Sequence, residues 1–297
     1  MNINNLFKEK KVVFSFEVFP PKQDSNIDTI YNTLEGLKGL SPDFISVTYG
    51  AGGSVSKNMT CEISSIIKNK YGIEPLAHLT CINSSKEHVD KILDDLKRDG
   101  VENVLALRGD IPLDYKGSSG FKYSGDLITH IKERDDFNIV GACYPEGHLE
   151  SNSYEEDFLN IKRKQELGAT HLISQLFFDN EFFYDLLEKK DKYGIKIPVQ
   201  AGIMPVINTN QIKRIVSLCG AKIPKRFIKI MDKYEYDKEA LRDAGIAYAT
   251  EQIIDLISTG VDGIHLYTMN NAYVAKRISE STSVIINTIN NYENAIN

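Results

Sequence analysis

Eight short runs of β-branched and other apolar residues recur along the chain, separated by longer stretches of helical periodicity. In order they are VVFSFEVF, FISVTYG, EPLAHLTC, NVLALRGD, NIVGACYP, HLISQLFF, PVQAGIMP and GIHLYTMN. In the intervening EHVDKILDDLKRDG, Val89, Ile92, Leu93 and Leu96 fall at helical spacing and Gly100 supplies a C-cap. SYEEDFLNIKRKQELGA is a second helical stretch of the same kind. Eight strand–helix units in 297 residues match a (β/α)8 TIM barrel in count and length. A doubly wound sheet is the alternative. No composition break or linker divides the chain, so residues 1–297 are read as one barrel domain.

Composition narrows the function classes. The chain is 42% hydrophobic and 26% charged, with a net charge of −6 and no long basic run, so neither nucleic acid nor an anionic membrane is an expected partner. No apolar run approaches the ~18 residues of a membrane span, and MNINNLFKEKK lacks the apolar core of a signal peptide. A cytoplasmic protein is expected. Cys61, Cys81, Cys143 and Cys219 form no C-x-x-C pair. They read as reduced thiols, and no metal site is expected. The Asn-rich tail NTINNYENAIN carries no functional signal.

Strand parity sorts the polar residues, because side chains two apart share a face. Val13, Ser15 and Glu17 share one face of the first run. Ser46 and Thr48 share a face of the second, His78 and Thr80 of the third. In the fourth, Ala106, Arg108 and Asp110 oppose Leu105 and Leu107. Gln175 lies opposite Leu172, Ser174 and Leu176. The small and polar faces are assigned to the lumen near its mouth, and the bulky apolar faces to the outer helices. Glu17, Thr48, His78, Arg108, Asp110 and Gln175 are then expected to converge at the C-terminal ends of the strands, where barrel active sites form. Each has a plainer reading taken singly: Glu17 as a solvent-facing acid, His78 as a structural histidine, Arg108 and Asp110 as an ion pair, Gln175 as a loop tie. Six at equivalent strand ends point to a site.

Two further features bear on a cofactor. YGAGGS follows the second strand, but Val55 stands where a dinucleotide fingerprint needs its third glycine, which excludes a Rossmann reading. These glycines instead suit a flexible turn over the mouth. In DFLNIKRK, Asp157, Asn160 and Lys164 lie at i, i+3 and i+7, with Arg163 beside them. They form either a solvated face or one side of a ribose and diphosphate site.

The ordered motifs FEVFPPK, SVTYGAGGS, HLTC, ALRGD, YPEGH, NIKRKQELGA, SQLFFD, GIMPV and LYTMN together resemble methylenetetrahydrofolate reductases of the short bacterial type, from about Val12 to Asn271. The resemblance implies an FAD enzyme. A nicotinamide cofactor, NADH or NADPH, reduces the flavin and leaves. Methylenetetrahydrofolate then takes its place and is reduced to methyltetrahydrofolate. It implies that Glu17 is the general acid that opens the folate's five-membered ring, which a poorly solvated setting favours. It implies FAD contacts at Thr48, His78, Arg108, Gly109 and Asp110, with Asp110 also a catalytic residue that touches folate. Tyr123, Ser124, Tyr144, His148, Asp157, Asn160, Arg163 and Lys164 would complete the FAD shell. Gln175, Gln211 and Tyr267 would face the substrate. A homo-oligomer is expected.

The sequence departs from the family pattern at Asn271, where an arginine that contacts substrate is common, and at Leu149, which replaces a proline. Other readings are a second type of FAD-dependent barrel similar to proline dehydrogenase, a pterin-binding methyltransferase, or a non-catalytic folate- or flavin-binding barrel. Glu17 argues against the last, since binding alone needs no buried proton donor.

Overall fold

All eight apolar runs form strands in the computed structural model, which describes residues 1–21, 28–49, 59–111 and 120–291. The strands are β1 Val13–Val18, β2 Phe44–Val47, β3 Glu74–Thr80, β4 Asn103–Leu107, β5 Asn138–Cys143, β6 His171–Ser174, β7 Val199–Ile203 and β8 Gly263–Tyr267. They pair in parallel in chain order, and β8 closes on β1 from Val13↔Gly263 to Glu17↔Tyr267. The helices are α1 Leu6–Glu9, α2 Asp28–Leu37, α3 Met59–Asn69, α4 Lys86–Arg98, α5 Ser124–Arg134, α6 Tyr154–Leu167, α7 Asn180–Lys192, α8 Thr209–Cys219, α9 Lys225–Tyr234, α10 Lys238–Ser258 and α11 Ala272–Asn291. The architecture is a (β/α)8 barrel.

The helix signals act as local chemistry requires. In α4, Val89, Ile92, Leu93 and Leu96 are all buried, Ser85 accepts from the His88 amide as N-cap, and Gly100 takes a left-handed turn at φ 76°. In α6, Ser153 caps the start and Gly168 ends it. Between β7 and β8 the chain carries three helices, α8 to α10, where the alternation predicts one. Gly245 of α10 lies so close to the loop after β7 that an added Cβ would stand 1.9 Å from the Val206 carbonyl oxygen, so only a glycine lets the helix pack there.

The lumen is filled in layers. Val13, Phe44, Leu76, Leu105, Val140 and Ile173, one from each of β1 to β6, form an apolar layer near the N-terminal end. The first residues plug this end: Ile3 and Leu6 are buried against the layer and Phe7 packs beside them. Each such side chain contributes roughly 1.5–3 kcal/mol when fully buried. The plug is tied by Asn103, whose Oδ1 accepts from the Ile3 amide at 3.0 Å and whose Nδ2 donates to the Met1 carbonyl at 3.0 Å.

This layering corrects one parity assignment. On β4 the bulky Leu105 faces the lumen with Leu107 beside it, and Ala106 packs outward. Arg108 therefore reaches the mouth by leaving the strand, which ends at Leu107, and Gly109 turns the chain at φ 86°. The bulky-out, polar-in rule fails at this depth because the lower lumen of a barrel is itself a packed core.

Candidate active site

Above the apolar layer the lumen becomes polar. His265 of β8 is fully buried, with Nδ1 2.7 Å from the Ser15 hydroxyl and Nε2 3.2 Å from the Ser46 hydroxyl. Gln200 of β7 donates to the Ser15 hydroxyl at 3.0 Å. Three strands of the closed sheet thus position one imidazole. Glu17 stands on top of it, two residues beyond Ser15, with its side chain 18% exposed. Its Oε2 lies 3.8 Å from His265 Nε2 and 3.6 Å from His78 Nε2.

The end of β1 is clamped by the loop after β8. Thr268 donates its hydroxyl to the Glu17 carbonyl at 2.6 Å, and Asn270 grips the Phe19 backbone, accepting from its amide at 3.0 Å and donating to its carbonyl at 2.8 Å. The strand stops at Val18, just before Pro20 and Pro21. Asn271, at the departure from the family pattern, accepts from the Val274 amide at 3.2 Å and so caps α11.

His78 is buried, and its Nε2 has no hydrogen-bond partner. Burial drives its pKa down to about 4 against the opposing pull of Glu17, so the imidazole is neutral near pH 7. Tyr267, beside His265 on β8, donates its hydroxyl to the Ser174 carbonyl at 2.7 Å. Burial, and then the Glu17 charge, push that hydroxyl well above its ordinary value. Gly202 makes room for this contact: an added Cβ would stand 2.3 Å from the Ser174 carbonyl oxygen and 2.7 Å from the Tyr267 hydroxyl. Thr48 follows β2, its amide bonded to the Val18 carbonyl at 3.0 Å. Gln175 is half-buried just past β6, with Oε1 accepting from the Leu176 amide at 2.9 Å.

A second cluster lies over β4 to β6. Arg108 makes a two-pronged bond to Glu150 at 2.5 and 2.7 Å, so its carboxylate partner is Glu150, not Asp110. That pairing raises the guanidinium pKa and lowers the carboxyl pKa. Asp110 is exposed. Tyr144 and His148 stack edge to face with centroids 4.6 Å apart. Burial pushes the Tyr144 hydroxyl up to about 12. Burial and the nearby Arg108 lower His148. Asp157 on α6 is buried, accepts from the His148 amide at 3.2 Å, and is raised by burial. Lys164, two turns on, is half-buried and donates to the Ala142 carbonyl at 2.7 Å.

Asn160 and Arg163 of the same helix are exposed. Tyr123 and Ser124 open α5, where Asp126 accepts from the Lys122 and Tyr123 amides. Gln211 lies exposed on α8 and lines a recess with Met204, Val206, Ile212 and Met269. The glycines of YGAGGS at 50, 52 and 53 lie outside the described residues. Among the described residues no group of three or more His, Cys, Asp or Glu side chains is placed to hold a metal ion. No helix among them is long and apolar enough to cross a membrane.

Parity named Ser15 and Ser46 on their strand faces but did not extend to β7 or β8, so Gln200 and His265 escaped notice. The signal was there: His265 and Tyr267 are two apart, like Ser15 and Glu17.

The fold and site define a (β/α)8 barrel that gathers the Glu17 carboxylate, two buried imidazoles and an arginine–glutamate pair at its C-terminal mouth. The comparisons narrow this class. A family model described as methylenetetrahydrofolate reductase matches residues 2–283. The 5,10-methylenetetrahydrofolate reductase of Escherichia coli K12 is 36% identical over 271 residues, covering 91% of this chain and 90% of the relative. That of Pectobacterium carotovorum is 34% identical, covering 92% and 91%. The chain belongs to the methylenetetrahydrofolate reductase family. Methylenetetrahydrofolate reductase (NADH) 1 of Arabidopsis thaliana is 34% identical over 90% of the chain, and the chain spans about half of that plant relative's length, 48%. A solved Clostridium thermocellum protein, described as binding two copies of 5-methyl-5,6,7,8-tetrahydrofolic acid, matches at TM-score 0.67 and 13% identity over 96% of this chain and 99% of its own. At that identity it shows the fold alone.

Proposed function

We propose that this protein reduces methylenetetrahydrofolate to methyltetrahydrofolate with NADH as reductant, through FAD held at the barrel mouth and in two alternating half-reactions. One observation carries the reading: a single carboxylate, Glu17, projects from the lumen into the mouth between two imidazoles, at 3.6 and 3.8 Å. It is mostly shielded yet reachable, as a proton donor to a bound substrate must be.

The residues present fit the cofactor. His78 Nε2 is a buried polar atom without a partner in the protein. Thr48, just past the end of the neighbouring β2, and Arg108, Gly109 and Asp110, just past the end of β4, would hold the ring system and ribityl chain. The exposed Arg163 and Asn160 on α6, with buried Asp157, suit a diphosphate and a ribose. Tyr144, His148, Tyr123, Ser124 and Lys164 would complete that wall. FAD, when bound, supplies the two-electron carrier that accepts hydride from the nicotinamide and returns it to the folate.

The chain's own residues do the rest. Glu17 gives its proton to the folate nitrogen that leaves when the five-membered ring opens. His265, fixed by Ser15 and Ser46, supports the carboxylate from below. Asp110 favours the cationic iminium form of the opened folate. Gln175, Gln211 and Tyr267 line the substrate side.

The test is direct. Purified protein, supplied with FAD if needed, should be yellow. Anaerobic NADH should bleach it, and methylenetetrahydrofolate should restore the colour while methyltetrahydrofolate forms. Protein that takes up no FAD, or flavoprotein that bleaches but is not reoxidised by the folate, overturns the reading. A far stronger response to NADPH than to NADH would correct the choice of reductant alone.

A further inference from the structure

Beyond Tyr267 the chain keeps its hold on β1 by other means. The Thr268 amide bonds to the Glu17 carbonyl at 3.3 Å, and the Thr268 hydroxyl donates to the same oxygen at 2.6 Å. Met269 and Asn270 then both take left-handed backbone, at φ 52° and 54°. Asparagine tolerates that region and methionine seldom enters it. Where the β8 backbone turns away, the Asn270 side chain stands in for the next peptide group. It accepts from the Phe19 amide at 3.0 Å and donates to the Phe19 carbonyl at 2.8 Å.

The tie falls at a telling point of the sequence. Pro20 and Pro21 follow Phe19 and carry no N–H. The Phe19 amide is therefore the last that the end of β1 can offer, and Asn270 takes it. The tie is itself braced. The Asn270 amide donates to the Thr268 hydroxyl at 3.2 Å, and the buried Thr33 of α2 donates to the Asn270 carbonyl at 3.1 Å. Gly36 of the same helix lets α2 lie against the start of α11, since an added Cβ would stand 2.6 Å from the Ala272 Cβ. A left-handed methionine persists only where its surroundings hold it, and strain of this kind gathers at functional sites.

We propose that Asn270 is a positioning residue for Glu17. Upstream, the Glu17 backbone is fixed through Ser15, which bonds to His265 and Gln200. Downstream, it is fixed by Thr268 and Asn270. The clamp thus sets where the carboxyl stands, 3.6 Å from His78 and 3.8 Å from His265. The inference rests on the function proposed above, in which proton donation by Glu17 belongs to the folate half-reaction alone.

Asn270→Gly tests the proposal, because glycine keeps the left-handed turn at no steric cost and removes both side-chain bonds. With FAD bound, hydride transfer from NADH should stay within about twofold of wild type. Reoxidation by methylenetetrahydrofolate should slow by about ten- to a hundredfold, the order that misplacing an aligned group by about 1 Å costs. Thr268→Val, which withdraws the hydroxyl from the Glu17 carbonyl, should slow the same half-reaction, and Thr268→Ser, which keeps the hydroxyl, should not. On a Glu17→Gln background Asn270→Gly should add less than about twofold, since residues that act through one another are not additive. Equal slowing of both half-reactions, reoxidation at the wild-type rate, or the full further loss on the Glu17→Gln background each overturns the proposal. If the folate does not reoxidise the wild-type flavin, the proposed function falls and this inference with it; if wild type turns over and Asn270→Gly is unaffected, only this inference falls. Should Asn270→Gly not fold, the two Thr268 variants carry the same criteria.

Discussion

His78 Nε2 and Glu17 Oε2 stand 3.6 Å apart, and the histidine atom, though buried, bonds to nothing else. With its pKa held down to about 4, the imidazole adds no charge beside the carboxylate near neutral pH. The two groups face the same space from β3 and β1. A ligand there would meet a carboxylate oxygen and an imidazole nitrogen side by side.

Glu17→Gln separates proton donation from every other role. The amide keeps size and polarity but does not supply the proton. The variant should fold, bind FAD and accept hydride from NADH at a near-normal rate. Reoxidation by methylenetetrahydrofolate should slow by at least about 10²-fold, the lower end of what a general acid contributes. Rapid mixing of each half-reaction reads this out; equal slowing of both would make Glu17 a positioning residue.

His171 makes the lower lumen sensitive to acid. It is fully buried between Phe7 and Phe44, both ring nitrogens lack partners, and burial lowers its pKa from 6.5 to about 3. The folded state therefore binds this proton more weakly than the unfolded chain. The resulting stability is fully present above pH 6.5 and is lost as pH falls toward 3, at roughly 1.4 kcal/mol per unit. His171→Phe should flatten that part of the pH–stability curve in urea titrations. An unchanged slope would show that other groups dominate it.

Gly202→Ala should disturb the mouth from below. Its Cβ meets the Ser174 carbonyl and the Tyr267 hydroxyl, which are bonded to each other. A cost of about 1–3 kcal/mol is expected from overpacking, seen as a lowered midpoint in thermal unfolding. A wild-type midpoint would mean that the Ser174 backbone and the Tyr267 ring both shift without penalty.

Arg163 and Lys164 should part company. Arg163 is exposed, so Arg163→Ala should lower the ratio of bound flavin to protein after gel filtration while leaving the melting temperature alone. Lys164→Ala strips the Ala142 carbonyl of its donor, which should cost stability by roughly 1–3 kcal/mol as well. Normal flavin content in both variants would make this helix face a solvated one.

The strand count and order were legible because apolar runs and helical periods alternate without interruption. The juxtaposition of Glu17 and His78 was legible from parity. Arg108 was placed at the mouth on the wrong argument, because the chain leaves β4 before reaching it and a left-handed glycine then sets its direction. The plug at Ile3, Leu6 and Phe7 is too short for any periodicity to register. The hold of Ser15, Ser46 and Gln200 on His265 depends on how distant strands align, which no single run of sequence encodes. Glu150 hid for the same reason: the Arg108–Glu150 pair spans 42 positions.

That pair changes what affinity means at this rim. Arg108 already holds a carboxylate in two-pronged geometry, and Glu150 is half open to water, its side chain 52% exposed. An incoming anion that engages Arg108 therefore does not find a vacant cation; it takes part in an exchange, and Glu150 goes back to solvent. The net gain is the difference between two similar bonds plus the rehydration of one carboxylate. A rim built this way keeps its arginine in place between visits and releases what it holds without having to strand a bare charge.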